Sequence, residues 1–156
     1  MFERNYLLNP FLLKTSSDEE LSKQINKMVA TYRKTDIMAD VAYNINLESD
    51  LLMIYGEFIA RLQEEYSLVK LQADNQEAKA IYQLRNDWEK TNTGKTPSIE
   101  YFKAQASDLV KDLREKQYKA ESMLTRFKKA YSSLETKQNA LKKKLDVMRF
   151  EEGGNL

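Results

Sequence analysis

The chain has 156 residues, 31% of them charged, a net charge of +1 and a mean hydropathy of −0.67. That length fits one domain or one elongated unit, and so high a charge content suits long solvated helices better than a compact globule. The absence of cysteine and histidine excludes a disulfide framework, thiol chemistry, the commonest metal ligand and the usual general base near neutral pH.

Residues 1–16 read as an apolar arm with Phe2, Tyr6, Leu7, Leu8, Phe11, Leu12 and Leu13, turned at Asn9-Pro10. Glu3 and the interruption at Pro10 argue against a signal peptide. The arm also lacks the basic face of an interfacial helix, so packing on its own helices or on a neighbouring copy is expected rather than membrane contact. The longest apolar run, Leu51 to Tyr55, is too short to cross a bilayer. The expected location is the cytoplasm.

A first helix is predicted from Ser17, where Glu20 completes a capping box, to about Lys34. Thr35 or Asp36 would cap the next, spanning about 37–92. In that helix Leu52, Tyr55, Ile59, Leu62, Tyr66, Val69, Ala73, Gln76 and Ala80 alternate spacings of three and four, as a coiled-coil seam does. Leu51, Ile54 and Phe58 form a second stripe. Asn44, Asn46, Ser49 and Gly56 are weak helix formers, and a break around 44–50 is one reading. After Ala80 the register steps to Leu84 and Trp88.

Thr91 to Ser98, with Gly94 and Pro97, is the strongest helix-breaking stretch in the chain. Gly94 is expected to end a helix in the left-handed region, Thr96 to cap the next, and Pro97 to take its first position. A third helix over 97–150 then carries Phe102, Ala106, Leu109, Leu113, Gln117, Ala120, Leu124, Phe127, Tyr131, Leu134, Gln138, Leu141, Leu145 and Met148 at the same rhythm. A short tail, 151–156, closes the chain. The expected fold is all-α: a long, coiled-coil-like helical hairpin over 36–150, bent at 91–98, preceded by an arm and short helix over 1–35. Each hairpin arm would run about 80 Å at roughly 1.5 Å per residue. Two such rods bury only a narrow seam, so an oligomer is expected, with Leu124, Phe127, Tyr131, Leu134, Leu141 and Leu145 as its interface.

Charge is divided unevenly. Residues 36–92 hold 5 Lys/Arg against 11 Asp/Glu, and residues 97–150 hold 13 against 7. The arms can attract each other or a neighbouring subunit, and the basic arm can meet a polyanion. Gly94-Lys95-Thr96 has the ending of a phosphate loop, but Glu89 stands where the first glycine belongs. Asp36/Asp40 and Asp108/Asp112 share helix faces without a histidine to complete a di-metal site. No nucleophile has a positioned base, and no enzyme activity, cofactor or metal is expected.

The remaining cluster is Lys79, Tyr82, Arg85, Trp88, Lys90 and Lys95, cations and large aromatics within a few turns of the bend. Single-stranded nucleic acid is held by this combination, phosphates by the cations and bases by stacking. Trp88 can equally fill the hairpin tip and Tyr82 pack on the other arm. A second basic stretch holds Arg126, Lys128, Lys129, Lys137, Lys142, Lys143, Lys144 and Arg149, which a solvated coiled-coil flank would also explain.

The Lys-rich closing helix ends in Asp146-Val147-Met148-Arg149-Phe150-Glu151-Glu152-Gly153, and Gln83-Leu84-Arg85-Asn86-Asp87-Trp88 precedes the bend. Over roughly residues 60–153 these segments resemble the phage recombination mediators of the UvsY type. Arg85, Asp87 and the aromatic at 88 match that family's element, while Gln83 stands where it carries a lysine. The resemblance implies a homo-oligomer, a ring of six or seven subunits, in the cytoplasm of a bacteriophage-infected host. It further implies sequence-independent binding of single-stranded DNA and loading of a RecA-like recombinase onto strands coated by single-strand-binding protein. The alternative is a coiled-coil scaffold or adaptor without nucleic-acid binding.

Overall fold

The computed structural model describes residues 10–153, with side chains from Leu13 onward. Five helices follow in order: α1 (Pro10–Thr15), α2 (Asp18–Val29), α3 (Met38–Thr91), α4 (Ile99–Leu109) and α5 (Lys111–Gly153). The fold is all-α, and the long helices α3 and α5 pack as a hairpin behind the short N-terminal helices. Phe2, Tyr6, Leu7 and Leu8 of the expected arm lie outside the described residues. Packing divides the chain into two units, one from residues 1–60 with 126–156 and one from 61–125.

In the first unit, α2 starts on the predicted capping box. Ser17 Oγ accepts the Glu20 N–H at 3.2 Å, and Ser17 N–H donates to the Glu20 carboxylate at 2.7 Å. Those bonds hold the Glu20 carboxyl below its usual range, led by the Ser17 backbone N–H and then its hydroxyl. Their contribution is therefore present above the ordinary glutamate pKa and lost as pH falls through the lowered one. Leu21 and Met28 of α2 join Leu13, Leu47, Leu51, Ile54 and Phe58 in a buried core, with Phe127 and Leu134 of α5 against it. A smaller cluster joins Val41 to Leu141 and Leu145. α2 stops at Val29, earlier than Lys34, because the connection that follows is claimed by α3. Asn44 accepts the Arg33 N–H at 3.0 Å and donates to the Arg33 carbonyl at 2.8 Å.

The same bonds explain why α3 does not break at 44–50. Asn44 is buried, and its amide makes two bonds to the Arg33 backbone, so a weak helix former is held in place. Ser49 donates to the Ile45 carbonyl at 3.1 Å, and Gln138 of α5 donates to Ser49 at 2.5 Å. α3 opens at Met38 with the Ile37 carbonyl accepting its first bonds. Thr35, an expected cap, instead accepts from Lys144 at 2.7 Å. Leu51, Ile54 and Phe58 are more deeply buried than Leu52, Tyr55 and Ile59, because α2 and α5 cover them together.

In the second unit the core is Leu62, Ala73, Ala80, Phe102, Ala106, Val110, Ala120 and Leu124. The expected continuous third helix is two. α4 ends at Leu109, and Val110 takes φ −107° and ψ 9° before α5 begins. Leu109, expected on the seam, is exposed, and Val110 is buried in its place. The reason is angular. Phe102, Ala106 and Val110 are spaced four apart, which drifts about 40° per step on a straight helix, and the break absorbs the drift so that Gln117, Ala120 and Leu124 return to the seam.

The corner also differs from expectation. None of the described glycines has a positive φ, Gly94 included. The helix ends on polar side chains that bond back to it: Thr91 Oγ1 donates to the Asp87 carbonyl at 2.8 Å, and the Trp88 carbonyl accepts both the Asn92 backbone N–H at 2.9 Å and Asn92 Nδ2 at 3.1 Å. The chain then turns over several residues, which removes the need for a left-handed glycine. Ser98, not Thr96, is the N-cap of α4, and Pro97 precedes it. A proline disfavours helical geometry in the residue before it, which is why Thr96 does not begin the helix.

Candidate nucleic-acid interface

Lys79, Tyr82 and Arg85 are all exposed on the last turns of α3, and their spacing of three carries them along the helix with a drift of about 60° per step. Tyr82 is 68% exposed and the Arg85 side chain 57%. Arg85 Nε donates to Glu89 at 3.0 Å, four residues on. An exposed pair of this kind contributes a few tenths of a kcal/mol, so an incoming phosphate can compete for the guanidinium. Lys90 stands exposed in the final turn of α3, where a cation also complements the helix dipole. Lys95 is exposed in the connection beyond it. Lys79 borders an open groove with Gln76, Ala80, Gln83, Leu109 and Val110, at the break between α4 and α5.

Trp88 is placed differently. It is half-buried against Tyr101 of α4, ring centroids 6.2 Å apart and edge-on, and Tyr101 in turn meets Phe102 at 5.4 Å. Its indole N–H is buried without a partner. Trp88 therefore fills the tip, leaving Tyr82 as the aromatic of the cluster that is open to solvent, while Tyr101, half open, lies against Trp88. Tyr101 was not readable as a site residue, because only the fold back of α4 brings it to Trp88.

Arg114 was also missed. Its guanidinium pairs with Asp74 at 2.8 Å and with Glu77, and donates to Gln117 Oε1 at 2.8 Å. The Glu77 bond, then the Asp74 bond, raise the Arg114 pKa further. In the first unit Lys137 pairs with Glu48 at 2.9 Å. The basic and acidic arms thus attract each other inside the chain, one of the three readings of the charge split.

The second basic stretch is partly engaged. Lys137, Lys142, Lys144 and Arg149 bond to Glu48, Gln138, Thr35 and Asp146. At about 100° per residue its cations are scattered around α5 and do not form one stripe. The six positions expected as an oligomer seam all have partners or cover within the chain. Leu124, Leu141 and Leu145 are buried, Phe127 and Leu134 lie on the first core, and Tyr131 is half-buried beside Gly56.

Among the described residues no three acidic side chains gather to hold a metal ion, and no helix is long and apolar enough to cross a membrane. No protein-family model, curated protein or solved structure matches the chain.

Proposed function

We propose that the protein is an oligomeric, sequence-independent binder of single-stranded DNA, acting as a recombination mediator of the phage type. The observation that carries the reading is the exposed row of Lys79, Tyr82 and Arg85 with Lys90 and Lys95 beyond it. Cations at this spacing neutralise successive phosphates, and Tyr82 offers a face on which a base stacks irrespective of its identity. The partners that follow from the family resemblance are a RecA-like recombinase and single-strand-binding protein, with the loading of the first past the second as the task.

Binding of a labelled oligonucleotide should weaken steeply as salt rises. Arg85→Ala should lower the slope of that salt dependence by about 1. Tyr82→Ala should weaken binding by about 1–3 kcal/mol and leave the slope unchanged. Binding that ignores salt, or none in dilute buffer, would contradict the reading.

A second reading is favoured by the pairing of Arg114 with Asp74 and Glu77. It treats the charge split as a device for holding the arms together in a structural scaffold, with no strand to bind. The oligonucleotide titration separates the two.

A further inference from the structure

The break between α4 and α5 turns Val110 into the core of the second unit, at 3% exposure, and puts Leu109 out at 68%. These two residues and Gln76, Lys79, Ala80 and Gln83 of α3 line an open groove of about 280 Å³. The four α3 positions recur at three and four, so they share one helix face. Buried Ala80 and Val110 make an apolar floor, and exposed Gln76, Lys79, Gln83 and Leu109 form the walls. Among the described residues neither amide side chain nor the Lys79 ammonium has a hydrogen-bond or ion-pair partner. The acids nearest in sequence, Asp74 and Glu77, are committed to Arg114. Lys79 is thus the one charged side chain that lines the groove.

We infer that this groove receives a nucleobase of the bound strand, an inference that rests on the strand-binding reading. A base is flat and apolar on its faces, carries donors and acceptors along its edge, and hangs beside an anionic phosphate. Leu109 and the floor cover a face. The amides of Gln76 and Gln83 each offer donors and an acceptor, so they can meet the edge of any base. That keeps recognition independent of sequence. Lys79 supplies the phosphate contact. An apolar side chain in the same place would strip water from the amides without pairing them, and a cationic ligand would be repelled by Lys79. The groove is also continuous with the exposed row. Lys79 belongs to both, and Tyr82 stands three residues on, about 4.5 Å along α3. Tyr82 and the groove then serve neighbouring bases, with the Lys79 ammonium on the phosphate between them.

Titration of the full chain with oligothymidylate, and with an abasic strand of equal length, tests the assignment. The parent should bind the base-bearing strand more tightly. Leu109→Ala changes an exposed position, so the helical circular dichroism should be kept. It should weaken oligothymidylate about fivefold, the worth of covering part of a leucine side chain. The abasic strand and the salt slope should not respond. Gln83→Ala, also exposed in the groove wall, should show the same selective loss. Equal affinity of the parent for both strands, equal losses on both in the variants, or no loss at all overturns the groove. In those cases salt-dependent binding by the parent leaves the strand-binding reading in place. A parent that binds neither strand overturns both.

Discussion

Replacing Phe102 with alanine should destabilise the second unit by about 3–5 kcal/mol, the usual effect of emptying a buried aromatic site. Phe102 is 2% exposed, the largest fully buried side chain in the described chain, and it anchors α4 beneath Tyr101. Beside it, Ala106 and Val110 are too small to close the cavity. Phe102→Leu, closer in volume, should lose less than about 1.5 kcal/mol. Denaturant melts of both variants decide the matter, and equal losses would mean that α4 is not held by this ring. Because Trp88 packs on Tyr101, its fluorescence reports the same loss locally.

Replacing Lys137 with methionine should destabilise the first unit by about 3 kcal/mol, the lower end of the range for breaking a buried ion pair. Glu48 is fully buried, one of its oxygens bonded to Lys137 and to the Tyr32 hydroxyl and the other without any partner. Lys137 lies 3.6 Å from the Tyr32 ring centroid, so it serves the carboxylate and the ring together. Half of its side chain is solvated, which is why the lower end applies. Converting both members, with Glu48→Met, should restore most of the loss, since an apolar pair leaves no buried charge behind. A thermal melt shifted by roughly 6–12 °C in the single variant is expected for a chain of this size. A shift near zero would mark Lys137 as an ordinary surface lysine.

Those two sites differ in how far they could be read from the chain alone. Phe102 was legible because it opens a three-four row, and nearly every residue of that row faces inward. Leu109 failed because the rhythm assumes one straight helix, and the break at Val110 turns the face by one residue. Glu48 was illegible. A charged residue is taken as solvated until its partners are known, and here they come from positions 16 and 89 residues away. Asn44 was misjudged for the same reason, its amide being bound to the distant Arg33 backbone. The corner was found from its composition, yet its geometry was not, since Gly94 does not take a positive φ and Ser98 rather than Thr96 is the N-cap of α4.

The site was readable as a cluster but not as a surface. Spacing put Lys79, Tyr82 and Arg85 on neighbouring faces, and all are exposed. It could not decide between tip and strand for Trp88, which depends on where Tyr101 lands. Periodicity was equally silent on what a row packs against. Leu124, Leu141 and Leu145 carry the strongest pattern and are covered by the chain's own helices. Leu68 and Leu71, which stand outside the expected seam, are exposed, as is Leu109 within it.

In the proposed function, copies of this chain gather and jointly offer cations to a nucleic-acid strand. Native mass measurement, with and without a single-stranded oligonucleotide and at low and high salt, tests it most directly. A multiple of 18.3 kDa that gains the mass of the oligonucleotide at low salt and releases it at high salt is the predicted result. A species of 18.3 kDa, unchanged when the oligonucleotide is added in dilute buffer, would contradict it.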